Sequence, residues 1–425
     1  MPSMQLPGLA YQDLAGRTTD FNGIQTPCRS MSLGQLCLVL AFAAFAGLSG
    51  CQTAIPTASQ RTELADLNAT IDSLGEDLAS QLAIASKTVF ASSRSVIVDR
   101  FVDSQTGQVN AAYRRIADRI PESMAKRLPN FSFRPMQGKE ISGADFVLTG
   151  SVTLDAHTDK GKHYRVFTSV TDLKTGMIVA NASAWLRATR ELDVAPEPAY
   201  GDSPMYLSDR SVGALVSTTK TLPGAAADPL YLSQLSTSAL LNEAEASYNR
   251  AELTLARQYY QEAAARTDGQ LMRTYSGLYL VHQKTGNTEG AEKAFAELVA
   301  LGLAAQQLSV KFLFKVATTT FIDDLRQSGQ YAMWLRQIAR QASARQSCLE
   351  VSGHTSRSGS ESFNEKLSMQ RADSIVRALV QFEPSLLGKL RGLGRGFRDN
   401  IIGTGSDDAR DAIDRRVEFK VIACP

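Results

Sequence analysis

At 425 residues the chain exceeds what one ordinary core requires, so two or three domains are expected. Its 45 basic and 43 acidic residues leave a formal net charge of +2, which gives no electrostatic basis for nucleic-acid binding.

Residues 36–51, LCLVLAFAAFAGLSGC, form an apolar run of signal-sequence length that is too short to span a bilayer as a helix. The ending Leu48-Ser49-Gly50-Cys51 resembles the bacterial lipobox, which implies that Cys51 is lipidated and becomes the first mature residue. Gln52 after it implies sorting to the outer membrane, and several acyl chains would hold the protein there more firmly than one. Only Arg17 and Arg29 precede the run as positive side chains, so either Met31 is the start or the leader is long. The alternative is a buried apolar helix that ends at a chance cysteine. Residues 1–50 are set aside as leader. Cys28 and Cys37 leave with it, and Cys348 and Cys424 remain. In an oxidising compartment this pair suggests a disulfide bracketing one C-terminal unit, against two buried free thiols.

Residues 51–90 read as a lipidated tether and a helix. Residues 95–103 then read as a buried strand, followed by a helix through Tyr113, Ile116, Ile120 and Met124 that Pro129 ends. FVLTGSVTL, YRVFTSVTD and MIVANASAWL are three strand-like runs, which makes 91–190 an α+β pattern. The run GADFVLTGSV, with a strand and D…TG after it, resembles the periplasmic domain of FlgO-type lipoproteins; this implies an extracytoplasmic interaction module without chemistry. Pro196, Pro198, Pro204, Pro223 and Pro229 make 191–236 read as a linker or extended wrap.

Helical patterning over 237–305 repeats after 35 residues: Ala244, Ala251, Ala256, Tyr260 and Ala263, then Tyr279, Gly286, Ala291, Phe295 and Leu298. Small residues at recurring places let helices approach while an aromatic fills the gap. The period resembles the tetratricopeptide hairpin, against an ordinary pair of helical hairpins. Two repeats cannot bury a solenoid core, so they are expected to pack on a neighbour and offer a surface to a protein partner.

On a helical wheel, residues 363–380 place Lys366, Gln370, Asp373 and Arg377 on a solvent face and Leu367, Ala372, Ile375, Ala378 and Leu379 on an apolar one. Arg371 falls on the apolar arc with Asn364 and Ser368 beside it. An unpaired charge there costs on the order of several kcal/mol, so Arg371 must snorkel, form an internal ion pair or hold an anion. Ser362 with Glu365 fits a capping box, and the polar loop 353–360 would hang over the first turn, where N–H groups favour a negative ligand. A carboxylate gripped by the guanidinium is the economical proposal.

VSGHTSRSGSESFNEKLSMQRA, then GLG at 392–394 and DRRVEF at 414–419, resemble the OmpA-like peptidoglycan-binding domain. Val310 to Phe314 match its first strand, so the resemblance covers 308–425. It implies a βαβα sandwich with a small mixed sheet and two main helices, and strands that bring the Cys348 and Cys424 segments together. The arginine of its L-S-x-x-R-A run binds the diaminopimelate carboxylate of the stem peptide, and the aspartate of G-H-T-D joins it. Carried over, Arg371, Asn364, Leu367, Thr355 and Phe314 are present. Ser356 replaces the aspartate, Lys315 follows Phe314 where an aspartate is frequent, and Asp414 replaces an asparagine. A serine hydroxyl lacks the charge assistance that roughly doubles such a bond, so weaker binding or a modified amine is expected.

His157, His163, His282 and His354 are scattered, with no metal-ligand spacing, and no nucleophile elbow or phosphate loop is present. Arg395, Arg398, Arg415 and Arg416 read as surface, salt-bridging residues, with Asp411 and Arg415 at i, i+4. The expectation is an α+β multidomain outer-membrane lipoprotein, with no enzyme activity, cofactor or metal, that ties the membrane or an envelope complex to peptidoglycan. The alternative is a scaffold lipoprotein of an assembly or secretion machine that acts mainly by binding protein.

Overall fold

A computed structural model describes residues 57–86, 93–157, 161–189, 191–192, 194–315, 317–321, 328–400 and 414–424. Cys51, residues 1–50 expected as a leader, and Asp411 lie outside them.

The stretch expected as tether and helix divides into strand β1 (Ser59–Ala65) and helix α1 (Leu67–Ala85). Asp66 makes the division: its backbone is extended, and its carboxylate accepts from the Ala69 N–H at 2.8 Å, capping α1. Leu67, Ile71, Leu74, Leu78 and Leu82 then bury one helical stripe. Strand β2 (Arg94–Asp103), helix α2 (Ala111–Ala125), β3 (Phe131–Pro135), β4 (Phe146–His157), β5 (Gly161–Asp172) and β6 (Ile178–Leu186) follow. The sheet order is β1-β6-β5-β4-β2-β3, so β1 and β3 extend the expected meander at both edges. Both pair parallel with their neighbours.

The sheet is covered on both faces. Val96 and Phe101 of β2 join the core under α1 and α2, while Ile97 and Val102 enter the core on the other side. Strict alternation would put Phe101 with Ile97. A register shift against β4 between Val98 and Phe101 reverses it, and this bulge presents Asp99 and Arg100 to the helices beyond.

The proline-rich span 191–236 is folded, which corrects the linker reading. It forms α3 (Pro198–Gly201), α4 (Arg210–Lys220) and α5 (Pro229–Ser233), and α4 packs on β4 and β5. Pro198 and Pro229 sit in first helical turns, where the missing N–H costs nothing, so these prolines mark helix starts. Helices α6 (Leu235–Asn249), α7 (Leu253–Ala264), α8 (Met272–Lys284) and α9 (Thr288–Ala304) each pack on the next. Gly277 of α8 admits the Tyr260 ring of α7 so closely that an added Cβ would lie 2.0 Å from it.

The C-terminal region comprises β7 (Gln307–Val310), α10 (Ser328–Ala344), β8 (Cys348–Gly353), α11 (Glu361–Phe382), β9 (Leu390–Gly394) and β10 (Val417–Ile422). Its mixed sheet runs β7-β10-β8-β9, with β10 antiparallel to β7 and β8, and β9 parallel to β8. A disulfide joins Cys348 to Cys424, with Cα atoms 5.2 Å apart.

This sheet does not stand apart from the rest. Met205 bridges Val310, and the Tyr206 N–H donates to the Ser309 carbonyl at 3.1 Å, so the proline-rich segment covers the edge of β7. Lys311 is buried there, and its ammonium donates to the Tyr200 carbonyl at 2.7 Å. Trp334 of α10 stacks on Phe295 of α9 and donates from Nε1 to the Tyr279 hydroxyl of α8 at 2.9 Å.

Candidate functional site

Helix α11 carries the candidate residues on one buried stripe: Asn364, Leu367, Ser368, Arg371, Ala372, Ile375 and Leu379. Gly353 seats β8 against this helix, because a Cβ on it would lie 2.2 Å from the Ser368 carbonyl. The helix cap is Ser360, whose hydroxyl accepts from the Phe363 N–H, and not the expected Ser362. The chain enters the helix two residues earlier than the box requires, and Glu365 turns outward to pair with Arg398. Asn364 donates to the carbonyls of Ser358 at 2.7 Å and Ser360 at 3.1 Å, so it fixes the polar turn over the helix start.

Arg371 is 1% exposed. The expected opening above it is filled by the turn that follows β7. Nε donates to the Thr318 carbonyl at 3.0 Å and Nη2 to the Lys315 carbonyl at 3.3 Å, and the guanidinium carbon lies 4.8 Å from the centre of the Phe314 ring. Phe314, expected to continue the first strand, instead forms an isolated bridge with Phe321 beyond β7. Lys315 thus meets Arg371 through its carbonyl and keeps its side chain on the surface. The Thr318 and Lys315 acceptors are main-chain oxygens, which leave no mark in residue identity.

Thr355 and Ser356 are buried at the start of the turn, and the Thr355 N–H donates to the Gly396 carbonyl at 2.9 Å. The Ser356 hydroxyl lies 3.4 Å from that of Ser358. The structure therefore gathers Phe314, Thr355, Ser356, Asn364, Leu367 and Arg371 around the first half of α11 and the loops above it.

The basic cluster needs one correction. Arg416 is buried: it donates to Glu418 at 2.7 Å and to the Asp399 carbonyl at 3.1 Å. His354, also buried, faces the other Glu418 oxygen at 3.6 Å. Burial alone would push the Glu418 carboxyl up, but His354 and Arg416 outweigh it and hold it at about 2. The spacing of Arg416 and Glu418, i and i+2 at the start of β10, puts both on one face, which is the signal that could have predicted this pair.

A second polar cluster was not anticipated. Arg273 of α8, 3% exposed, forks onto Glu245 of α6 at 2.8 and 2.9 Å, and Tyr200 donates to the same carboxylate at 2.7 Å. Asn242 and Tyr231 both donate to Asp99 on the β2 bulge at 3.1 Å. A cleft of about 380 Å³ opens beside this cluster, lined by Arg100, Arg114, Phe133 and Tyr259. Among the described residues no group of His, Cys, Asp and Glu is arranged to hold a metal ion, and no helix is long and apolar enough to cross a membrane.

In comparison with known proteins, residues 323–413 match the OmpA family. Outer membrane protein A of Shimwellia blattae is 37% identical over 79 residues, which are 17% of this chain and 32% of that protein. The chain thus spans about a third of the length of that relative. Among solved structures, the cell wall anchor of the T6SS from Pseudomonas aeruginosa is 23% identical over 28% of this chain and 80% of its own, with a TM-score of 0.23. The peptidoglycan-associated lipoprotein from Burkholderia pseudomallei is 22% identical over 28% of this chain and 92% of its own, with a TM-score of 0.22.

Proposed function

We propose that this protein binds peptidoglycan non-covalently through the Arg371 site and that a lipid on Cys51 holds it at the periplasmic face of the outer membrane. Its role is then mechanical, tying the membrane or an envelope complex to the wall, with no catalysis. The observation that carries this reading is the coincidence of the OmpA family match with Arg371, set among Phe314, Thr355 and Asn364 on the buried stripe of α11. The ligand chemistry is a diaminopimelate carboxylate on the guanidinium.

Co-sedimentation with purified sacculi tests it: Arg371→Ala is expected to lose most binding, and unchanged binding removes the assignment. Ser356 supplies a hydroxyl where a carboxylate would hold the ligand ammonium, so Ser356→Asp should tighten binding. Added diaminopimelate then competes better against that variant, and equal competition counts against the role of Ser356.

We propose the FlgO-like and tetratricopeptide-like regions as protein-binding surfaces of the same lipoprotein. The α6 face bearing Asn242 and Glu245 is already engaged by Asp99 and Tyr200, so a partner has to use other faces.

A further inference from the structure

The cleft of about 380 Å³ is lined by β2, α2 and β3 of the first sheet region and by α6 and α7, and its size suits a small organic ligand. Its charged groups do not all cancel in pairs. Arg100 lines it from the β2 bulge and is half-buried, and its Nε and Nη1 are shielded from water with no hydrogen-bond partner among the described residues. Three carboxylates of the lining are engaged elsewhere: Asp99 accepts from Tyr231 and Asn242, Glu245 from Arg273 and Tyr200, and Glu197 takes Arg114 in a fork at 2.6 Å. A guanidinium that has given up hydration without receiving an acid bond gains more from an incoming carboxylate than an exposed arginine does.

The same lining holds two acids, Asp118 and Glu243, that have no ion pair among the described residues. Partial desolvation, with the Glu122 and Glu197 carboxylates nearby, pushes the Asp118 carboxyl up against the pull of Arg114. Glu243 of α6 accepts from a neutral donor, the Gly138 N–H, at 3.2 Å. Phe133 of β3 and Leu255 and Tyr259 of α7 supply apolar wall.

A plain carboxylate in this cleft would be repelled by Asp118 and Glu243, and a plain amine by Arg100, whereas a zwitterion meets a group of opposite sign at either end. We infer that the cleft binds a small zwitterion, an amino acid or dipeptide with an apolar side chain, its carboxylate on Arg100 and its ammonium towards Asp118 and Glu243. The side chain then lies on Phe133, Leu255 and Tyr259. This site shares no residue with the Arg371 site, so it stands whether or not that site binds the wall.

The test is isothermal titration of the full chain with leucylphenylalanine and with its two blocked forms, N-acetyl-leucylphenylalanine and leucylphenylalaninamide. The free dipeptide is expected to bind about tenfold more tightly than either blocked form, because each block removes one charge-assisted contact. Arg100→Gln should weaken the free dipeptide about tenfold, and Asp118→Asn, a change on the accessible side of α2, should narrow the gap between the free and acetylated forms about threefold. Absence of binding by the free dipeptide, acetylated peptide binding as tightly as the free one, or full binding by Arg100→Gln overturns the site. If Arg100→Gln fails to fold, the amide on the unaltered protein and the Asp118→Asn variant decide: an amide as tight as the free dipeptide, or a gap that does not narrow, overturns it.

Discussion

Arg273 in the helical region and Arg371 in the C-terminal region are both almost fully buried, yet their surroundings differ in kind. Arg273 meets a carboxylate in a two-pronged contact between neighbouring helices, with Tyr200 completing the acceptor's shell. Arg371 meets main-chain carbonyls of a surface turn. The first arrangement matches charge with charge and locks two elements together; the second brings the carbonyls of Lys315 and Thr318 and the Phe314 ring onto the guanidinium. The buried ion pair ties two helices together at one place, and at the other the buried arginine ties the segment after β7 to α11.

The largest effect that can break this comparison is on stability. Arg273→Met strands the Glu245 carboxylate and is expected to cost about 3–5 kcal/mol. Arg371→Met takes the donor from the Thr318 and Lys315 carbonyls, and the loss from these two bonds should be about 1–3 kcal/mol. Guanidinium denaturation of the two variants measures both, and equal losses would mean that Arg371 is as architectural as Arg273.

A smaller effect separates charges at the joint from charges inside the C-terminal sheet. Burial pushes the Lys311 ammonium down to about 7, with Asp202 opposing, so between pH 7 and its ordinary value of 10.5 the unfolded chain binds more protons than the native one. Stability should rise with pH across that window, and Lys311→Met should flatten the rise. Glu418, held at about 2, runs the other way: its contribution is complete above about pH 4.5 and is lost as pH falls towards 2. Denaturation midpoints at pH 2.5, 5, 7 and 10, chosen to bracket these windows, would show both slopes, and a profile flat at both ends would remove these assignments.

Much of the C-terminal region was legible from side-chain pattern alone. The 3.6-residue period placed Arg371 on the buried arc of α11, and Cys348 and Cys424 pointed to each other as a pair. The capping residue was displaced by two positions because a run of serines offers several candidate caps, and only the path of the turn selects Ser360. The proline-rich span was misread because proline marks both linkers and first helical turns. Pro198 and Pro229 are of the second kind.

What the sequence determined by itself are properties held in local order: the periods of strands and helices, the arginine on an apolar face, and the missing acid at Ser356. Tertiary structure alone decided that a bulge in β2 turns Asp99 towards α6, that Met205 closes the edge of β7, and that the Lys315 and Thr318 carbonyls meet Arg371. The physical reason is common to all three. Each rests on backbone geometry or main-chain atoms, which every residue carries alike, so the pattern of side chains cannot announce it.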